Sequence, residues 1–182
     1  MQRTILSLLI ILLVARGWAE ETRIELTKAT TPEQDSKTNS PAVPDVYTLS
    51  GQFARVEVLR FKYGADLLTG LESMAKQEKI HNGVILSGIG SVRGYHYHTV
   101  SNRTFPSKDT FVKNPEAPAD LVSMNGYVID SRVHAHVMFS NPEKAFGGHL
   151  EKGTEVFTFA VVTVGVLDDK LDLSRVDDKT YR

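Results

Sequence analysis

The chain has 182 residues, of which 41% are hydrophobic and 24% are charged, a composition that predicts one globular domain with a sizeable core. Its 21 basic residues stand against 22 acidic ones, and the resulting net charge of −1 disfavours a strongly basic nucleic-acid-binding protein. The chain contains no cysteine, which excludes disulfides, Cys-ligated metals and thiol nucleophiles.

The first 19 residues have the pattern of a secretory signal peptide. Arg3 precedes an apolar run over residues 5–15, and the small residues Gly17 and Ala19 form a cleavage-site pattern. A membrane-spanning helix needs about 20 apolar residues, and this run is much shorter. The alternative to a cleaved signal peptide is a retained N-terminal anchor. No cysteine follows the run, which excludes a lipoprotein anchor. Cleavage after Ala19 would leave 163 residues with 19 basic and 22 acidic side chains. We therefore expect an exported protein, periplasmic or secreted, with a net charge of −3.

Residues 20–45 are polar and poor in aromatic side chains, and they hold three of the seven prolines. Such a segment buries too little apolar surface to offset the entropy lost on ordering, which predicts a flexible tether. The folded domain is expected over residues 46–173, and residues 174–182 form a C-terminal tail.

The first half of the domain predicts a strand, a helix and two further strands. Residues 53–61 alternate apolar and charged side chains, as a half-buried strand does. Apolar residues then recur at helical spacing after Asp66, and Asn82-Gly83 would end that helix. Strands are expected over residues 84–86 and 95–100.

The second half of the domain predicts mainly strands. The loop-rich region 101–118 contains a short strand near residues 110–112, and residues 121–129 and 133–139 form neighbouring strands joined at Asp130-Ser131. Residues 155–167 are apolar on both faces, the pattern of a central buried strand. One helix among about six or seven strands predicts an α+β domain.

A glycine-containing segment, Gly88-Ile89-Gly90, follows an apolar strand and invites comparison with a dinucleotide-binding loop. No third glycine stands at the required spacing, and the residues that follow predict a strand where the motif needs a helix. The segment therefore predicts a tight turn or a β-bulge at a close backbone approach.

Three histidines are candidate metal ligands. His134 and His136 lie two residues apart in a predicted strand, which puts both imidazoles on one face at about 6.5–7 Å along the chain. His149 follows Gly147-Gly148, which could bend the backbone to deliver it from a loop. Three neutral imidazoles with an open fourth position suit zinc, nickel, copper or iron. The alternative is that they are ordinary surface or hydrogen-bonded histidines.

A second pair, His96 and His98, has the same spacing, but no third ligand candidate accompanies it, and we expect an exposed strand face there. Lys152 and Glu155 lie near His149 in sequence and are candidate proton-transfer groups, although nothing in the sequence positions them. The catalytic residues, if the protein is an enzyme, are unknown from the sequence.

Three short motifs in order resemble the PPC (plants and prokaryotes conserved) domain family, also called DUF296. They are SGIGSV at residues 87–92, VHAHV at 133–137 and GGHL at 147–150, and the resemblance covers about residues 46–173. It implies a compact α+β domain, built on a mixed β-sheet with one main helix, that associates as a homotrimer.

The resemblance also implies functions. Prokaryotic members can hold a metal at the positions that are His134, His136 and His149 in this chain. Plant relatives bind A/T-rich DNA through a separate AT-hook that carries Arg-Gly-Arg-Pro. Here Arg-Gly occurs at Arg16-Gly17 and Arg93-Gly94, and neither continues with Arg-Pro. DNA is therefore not expected as a partner.

The resulting hypothesis is an exported homotrimeric PPC-domain protein that binds a divalent transition metal, zinc first, with room for a small-molecule ligand beside it. The first alternative is a metal-dependent enzyme of unknown substrate, in which the metal activates a water or polarises a carbonyl. The second is a DNA-binding protein like the plant relatives. We favour a binding protein over an enzyme because no general base can be named with a required spacing.

Overall fold

The computed structural model describes residues 22–26, 44–104, 107–173 and 176. The predicted signal peptide, most of the predicted tether and nearly all of the predicted tail lie outside these residues. Within the described ranges no helix is long and apolar enough to cross a membrane.

The described chain forms one helix and eight strands, which confirms the α+β prediction. In chain order they are β1 (Thr22–Leu26), β2 (Phe53–Lys62), α1 (Leu67–Gln77), β3 (Asn82–Val100), β4 (Asp109–Asn114), β5 (Ala119–Ile129), β6 (Arg132–Ser140), β7 (Ala145–Leu150) and β8 (Glu155–Leu167). Seven strands come from the predicted domain. β1 lies within residues 20–45 and pairs with β4, a pairing that the tether prediction did not include.

The long strand β3 organises the sheet. β4 and β5 follow one another along one of its edges, and β7 and β8 follow one another along the other. β6 joins β5 to β7, so this part of the sheet closes on itself around the core, and β2 pairs with the outer edge of β8. Every pairing between the described strands is antiparallel. The predicted mixed sheet is therefore wrong. Strands that run in the same direction, such as β2 and β3, are separated by a strand of opposite direction and do not pair with each other.

The helix α1 begins where the sequence predicts. The Asp66 carboxylate accepts a hydrogen bond from the Thr69 N–H at 2.8 Å and so caps the first turn. Its end lies earlier than predicted, because Lys79 adopts a left-handed backbone with φ 55° and turns the chain away. Asn82-Gly83 already belongs to β3, so the prediction that it ends the helix is wrong.

The segment Gly88-Ile89-Gly90 lies inside β3, where two separate strands were predicted. The single strand runs through 19 residues, and its register against β8 shifts between Ile85 and Ser87 and again near Gly90. Gly90 has φ 153°, and a Cβ there would collide with the Phe159 carbonyl oxygen of β8. The predicted bulge at a close backbone approach is confirmed.

β5 and β6 form the predicted hairpin. Asp130 and Ser131 have φ 49° and 58°, values that a two-residue type I′ turn needs at both central positions. Along β6, Ala135, Val137 and Phe139 are buried in the core. The alternation therefore leaves the intervening side chains, the two histidines among them, on the outer face, as predicted.

β8 lies between β2 and β3, which confirms that it is central. Its inner face is buried, with Val156, Ala160 and Val162 fully inside. Its outer face differs from the prediction, because Phe157 and Phe159 are 47% and 43% exposed. The strand is thus apolar on both faces, yet within one chain it is buried on only one of them.

Candidate metal centre

The structure brings the three predicted histidines together. His134 and His136 point outward from β6, and His149 of β7 pairs directly with His136 across the two strands. One ligand nitrogen from each of the three rings lies within 4.8 Å of the others. The ring of His149 stands nearly perpendicular to the other two rings, with its centroid 4.7 Å from that of His134 and 5.3 Å from that of His136. The three imidazoles therefore converge on one point.

His149 reaches this cluster on the strand β7 and not from the bent loop that its glycines predict. β7 is paired with β6 on one side and with β3 on the other. A Cβ on Gly147 would collide with the Val137 carbonyl oxygen, and one on Gly148 would collide with that of His98. The two glycines thus allow close approach of three backbones and do not form a bend. The predicted bend before His149 is therefore wrong, although the three rings do come together.

Two of the three imidazoles have pKa values that favour the neutral form. Burial first, and then repulsion from His98 and the other neighbouring histidines, lower the pKa of His149 from 6.5 to about 4. Burial also lowers the pKa of His136, followed by the effects of His134 and His98. Because only a neutral imidazole can coordinate a metal, both side chains are in the binding-competent state at pH 7.

A fourth histidine, His98, packs against the cluster. It pairs with His149 across β3 and β7, and the two rings are stacked with centroids 4.5 Å apart and an interplanar angle of 23°. Its Nδ1 donates a hydrogen bond of 2.7 Å to the Glu151 carboxylate, which is the main cause that lowers the pKa of Glu151. The His98 side chain is only 17% exposed. The predicted exposed face is therefore wrong at this residue.

His96, two residues earlier, has a separate environment. Its Nδ1 donates to the Lys152 carbonyl oxygen at 2.7 Å, and its ring lies against Phe111 at a centroid distance of 6.0 Å. It is half-buried, so the exposed face predicted there is wrong as well. The sequence signal that could have found the role of His98 is Glu151, which follows His149 by two residues. That signal gains meaning only when β3 is known to pair with β7.

The two candidate proton-transfer groups do not join the cluster through any described contact. The Lys152 ammonium pairs with Glu72 of α1 at 3.4 Å, and Glu155 pairs with Arg93 of β3 at 3.9 Å. Both ion pairs are substantially exposed. The structure therefore does not support Lys152 or Glu155 as partners of a metal-bound water.

A small cavity opens beside the histidines. It has a volume of about 160 Å³ and is lined by Ile129, Arg132, Val133, His134 and His149. Two of the three candidate ligands thus form part of its wall, and the start of β6 supplies most of the remainder. A molecule in this cavity would lie next to whatever the three imidazoles hold.

The donor set fits a divalent transition metal. Three nitrogen donors suit zinc, nickel, copper or iron, whereas calcium and magnesium prefer oxygen ligands. A tetrahedral zinc site places its nitrogens about 3.3 Å apart, so the rings, now within 4.8 Å, need only small side-chain rotations. Three protein ligands leave one coordination position open for water or a ligand.

Comparison with known proteins places the domain in one family. The family profile of the Plants and Prokaryotes Conserved (PCC) domain matches residues 48–168. The bifunctional protein GlmU of Synechococcus sp. (strain JA-3-3Ab) is 27% identical over 119 residues, which cover 65% of this chain. The chain spans only 18% of the length of that relative, so the likeness concerns one part of GlmU.

Solved structures share the fold. A plant- and prokaryote-conserved (PPC) protein from Pyrococcus horikoshii is 26% identical, with a TM-score of 0.56 over 68% of this chain and 85% of its own. A metal-containing protein from Archaeoglobus fulgidus is 23% identical, with a TM-score of 0.56 over 70% of this chain and 86% of its own. A candidate DNA-binding protein from Bacteroides thetaiotaomicron is 17% identical, with a TM-score of 0.52 over 66% and 83%. The last two likenesses show the fold alone.

Proposed function

Since the chain belongs to the Plants and Prokaryotes Conserved domain family, the PPC family of the sequence prediction, we propose that it binds a divalent transition metal, zinc first, through His134, His136 and His149. The observation that carries this proposal is the convergence of three imidazole nitrogens from two paired strands within 4.8 Å. The metal-containing relative from Archaeoglobus fulgidus supports it as a protein of the same fold.

At such a site, some residues would bind the metal and others would orient the metal ligands. His134, His136 and His149 would coordinate, while His98 packs flat against His149 and Glu151 fixes the His98 ring through its Nδ1. A bound metal would supply a Lewis acid at its open coordination position. Among the described residues no carboxylate is placed to act as a general base there, since Glu151 is engaged by His98. We therefore favour ligand binding, with a metal-dependent enzyme as the alternative.

The direct test is a calorimetric titration of chelator-treated protein with zinc, nickel and copper. We expect one metal ion per chain, bound with at least micromolar affinity by the wild type, and metal analysis of the purified protein should find the native ion. Failure of all three metals to bind at pH 7.5 would contradict the proposal.

We also propose that the chain associates with itself as a homotrimer. The support is the outer face of the sheet, where large apolar side chains stay between 43% and 67% exposed; they are Val56, Val58, Leu86, Ile89, Val122, Phe157 and Phe159. Exposed apolar side chains on one face of a sheet are typical of a surface that binds another protein chain. Light scattering on residues 46–182 should give three chain masses. Ile89→Asp should give a folded monomer, and a wild-type monomer at micromolar concentration would contradict the proposal.

Export remains a proposal from the sequence, because residues 1–21 lie outside the described part of the chain. N-terminal sequencing of the protein purified from the expressing cells tests it. We expect a mature terminus at Glu20, whereas an intact Met1 would support the retained anchor.

We propose that any binding of duplex DNA is weak and electrostatic. The net charge of −1 and the absence of an Arg-Gly-Arg-Pro sequence motivate this, while the Bacteroides relative, a candidate DNA-binding protein, does not favour it. Binding should therefore fall steeply as salt is raised from 50 to 200 mM and should not depend on sequence. A sequence-selective complex at physiological salt would contradict the proposal.

A further inference from the structure

Arg132 is the one cationic side chain that lines the small cavity beside the histidines. It is the first residue of β6 and follows the tight turn at Asp130 and Ser131, so the strand fixes its Cα two residues from His134. In the part of the chain that the structure describes, no hydrogen bond or ion pair engages its guanidinium. A guanidinium that is exposed and unpaired at the wall of a cavity is available to a ligand.

The cavity is lined by a positive charge and by no negative charge. Its five lining residues include no carboxylate, and the nearby Glu151 is already hydrogen-bonded to His98. A divalent ion on the three imidazoles of the cluster would add two positive charges to that of Arg132. Bound cations are often the largest local charges in a site, so the cavity would strongly favour an anion.

The volume and the lining of the cavity indicate which kind of anion it could bind. Its volume of about 160 Å³ equals roughly that of five water molecules, which limits a ligand to a few non-hydrogen atoms. Ile129 and Val133 form the apolar part of its wall. A guanidinium matches the planar carboxylate with two parallel hydrogen bonds. An apolar wall offers nothing to a wholly polar ion such as phosphate but packs against a short aliphatic body.

From these observations we propose that the cavity binds a small organic carboxylate, whose carboxylate lies between Arg132 and the open coordination position of the metal and whose aliphatic part packs on Ile129 and Val133. This inference rests on the proposed metal site and names the class of ligand for it. It gives Arg132 the role of an anchoring residue for the ligand, distinct from the three residues that hold the ion.

The experiment titrates zinc-loaded protein with propionate, with propionamide and with inorganic phosphate. We expect saturable binding of propionate and at least tenfold weaker binding of propionamide, which has the same shape without the charge. Phosphate should also bind less tightly than propionate, since it cannot use the apolar wall. Chelator-treated protein should bind propionate at least tenfold more weakly than the zinc-loaded form.

Two variants assign the effect to Arg132. Arg132→Gln should weaken propionate binding about tenfold or more, because it removes a charged hydrogen-bond donor. Its zinc affinity, measured without carboxylate, should stay within about threefold of wild type, which also shows that the variant is folded. Arg103→Gln, at an exposed arginine in the loop after β3, is the matched control and should change neither affinity.

The outcomes separate the two proposals. If wild-type protein binds no metal, the proposed function fails and takes this inference with it. If zinc binds but propionate does not, or if Arg132→Gln binds propionate as well as wild type, only the inference is overturned. Tighter binding of phosphate than of propionate would overturn the assignment to an organic carboxylate.

Discussion

Two strands of this protein carry the same His-x-His pattern, and they place their histidines in different surroundings. On β6, the rings of His134 and His136 are stacked with centroids 5.6 Å apart and share their face with His149 of the neighbouring strand. On β3, each ring is held by its own partner, His96 by the Lys152 carbonyl and His98 by the Glu151 carboxylate. His134 and His136 thus share a neighbouring imidazole, whereas His96 and His98 have separate hydrogen-bond partners.

The difference arises across the strands. Because side chains alternate between the two faces of a strand, both histidines of each pair lie on the same face. What stands opposite them depends on register, and β7 is paired with both His-x-His strands, so that His149 lies between His136 and His98. β6 contributes two rings to the cluster of candidate ligands, while β3 contributes the His98 ring, which is stacked on His149. The pattern therefore predicts candidate ligands, and the pairing of β7 decides which of them converge.

The largest expected effect follows from removing a ligand on β6. His136→Ala leaves two imidazoles and should weaken zinc binding more than about 100-fold, since even partners of metal ligands contribute 10–100-fold. His136 is exposed and opposite in direction to the core residues of its strand, so the fold and the assembly should be unchanged. Calorimetry measures the affinity and circular dichroism the fold.

His81→Ala is the matched control, because His81 is an exposed histidine just before β3 and outside the cluster. It should bind zinc like wild type. Equal affinities of wild type and His136→Ala would remove the proposed metal site.

The second expected effect is a pH dependence of the free energy of unfolding, caused by His149. The pKa of His149 is about 4 in the folded chain and 6.5 in an unfolded one. Above pH 6.5 the ring is neutral in both states, and the folded chain keeps its full stability. As pH falls from 6.5 towards 4, the unfolded chain takes up a proton that the folded chain refuses, so the free energy of unfolding decreases. The loss should be on the order of 2–3 kcal/mol.

Urea unfolding of chelator-treated protein between pH 7 and pH 4 measures this loss. His149→Asn, which cannot titrate, should show a smaller decrease over the same range, and the difference between the two proteins isolates the contribution of His149. If both proteins lose the same stability between pH 6.5 and pH 4, the ring is not held neutral in the folded state.

Much of the fold could be predicted from local patterns. The helix with its Asp66 cap, the Asp130-Ser131 hairpin and the central position of β8 each depend on residues close in sequence. The merger of two predicted strands into β3 could not be predicted, because glycines signal a turn and a bulge equally well. The wholly antiparallel sheet was missed for another reason: strand direction depends on which distant strands pair.

In the candidate site, too, some features could be predicted from local sequence and others depend on the pairing of distant strands. The three candidate ligands could be proposed from the His-x-His spacing, from the glycines before His149 and from the family resemblance. The strand nature of β7 could not be predicted, since Gly147 and Gly148 are poor strand formers that here allow close approach of the Val137 and His98 backbones. The supporting residues His98 and Glu151 were missed for a related reason. They are 53 residues apart in sequence, and nothing local indicates that the two meet.

A third effect, of intermediate size, tests whether β3 supports the cluster. His98→Ala removes the ring stacked on His149 and leaves Glu151 without its partner, so zinc affinity should fall about tenfold. Glu151→Gln keeps a hydrogen-bond acceptor for the His98 ring and should cost about threefold. Zinc titrations of the two variants against wild type measure this. An unchanged zinc affinity in His98→Ala would show that the stacked ring does not contribute to metal binding.

The smallest expected effect belongs to His96, which has the same spacing on the same strand but a different partner. Its Nδ1 bonds to a backbone carbonyl, and its ring lies against Phe111, with no described contact to the cluster. His96→Ala should therefore change zinc affinity by less than about threefold, while its unfolding free energy falls by about 1 kcal/mol through the lost hydrogen bond. Zinc titration and urea unfolding of this one variant separate the two effects. A loss of zinc affinity as large as that of His98→Ala would show that β3 acts on the cluster as a whole strand and not through the single stacked ring.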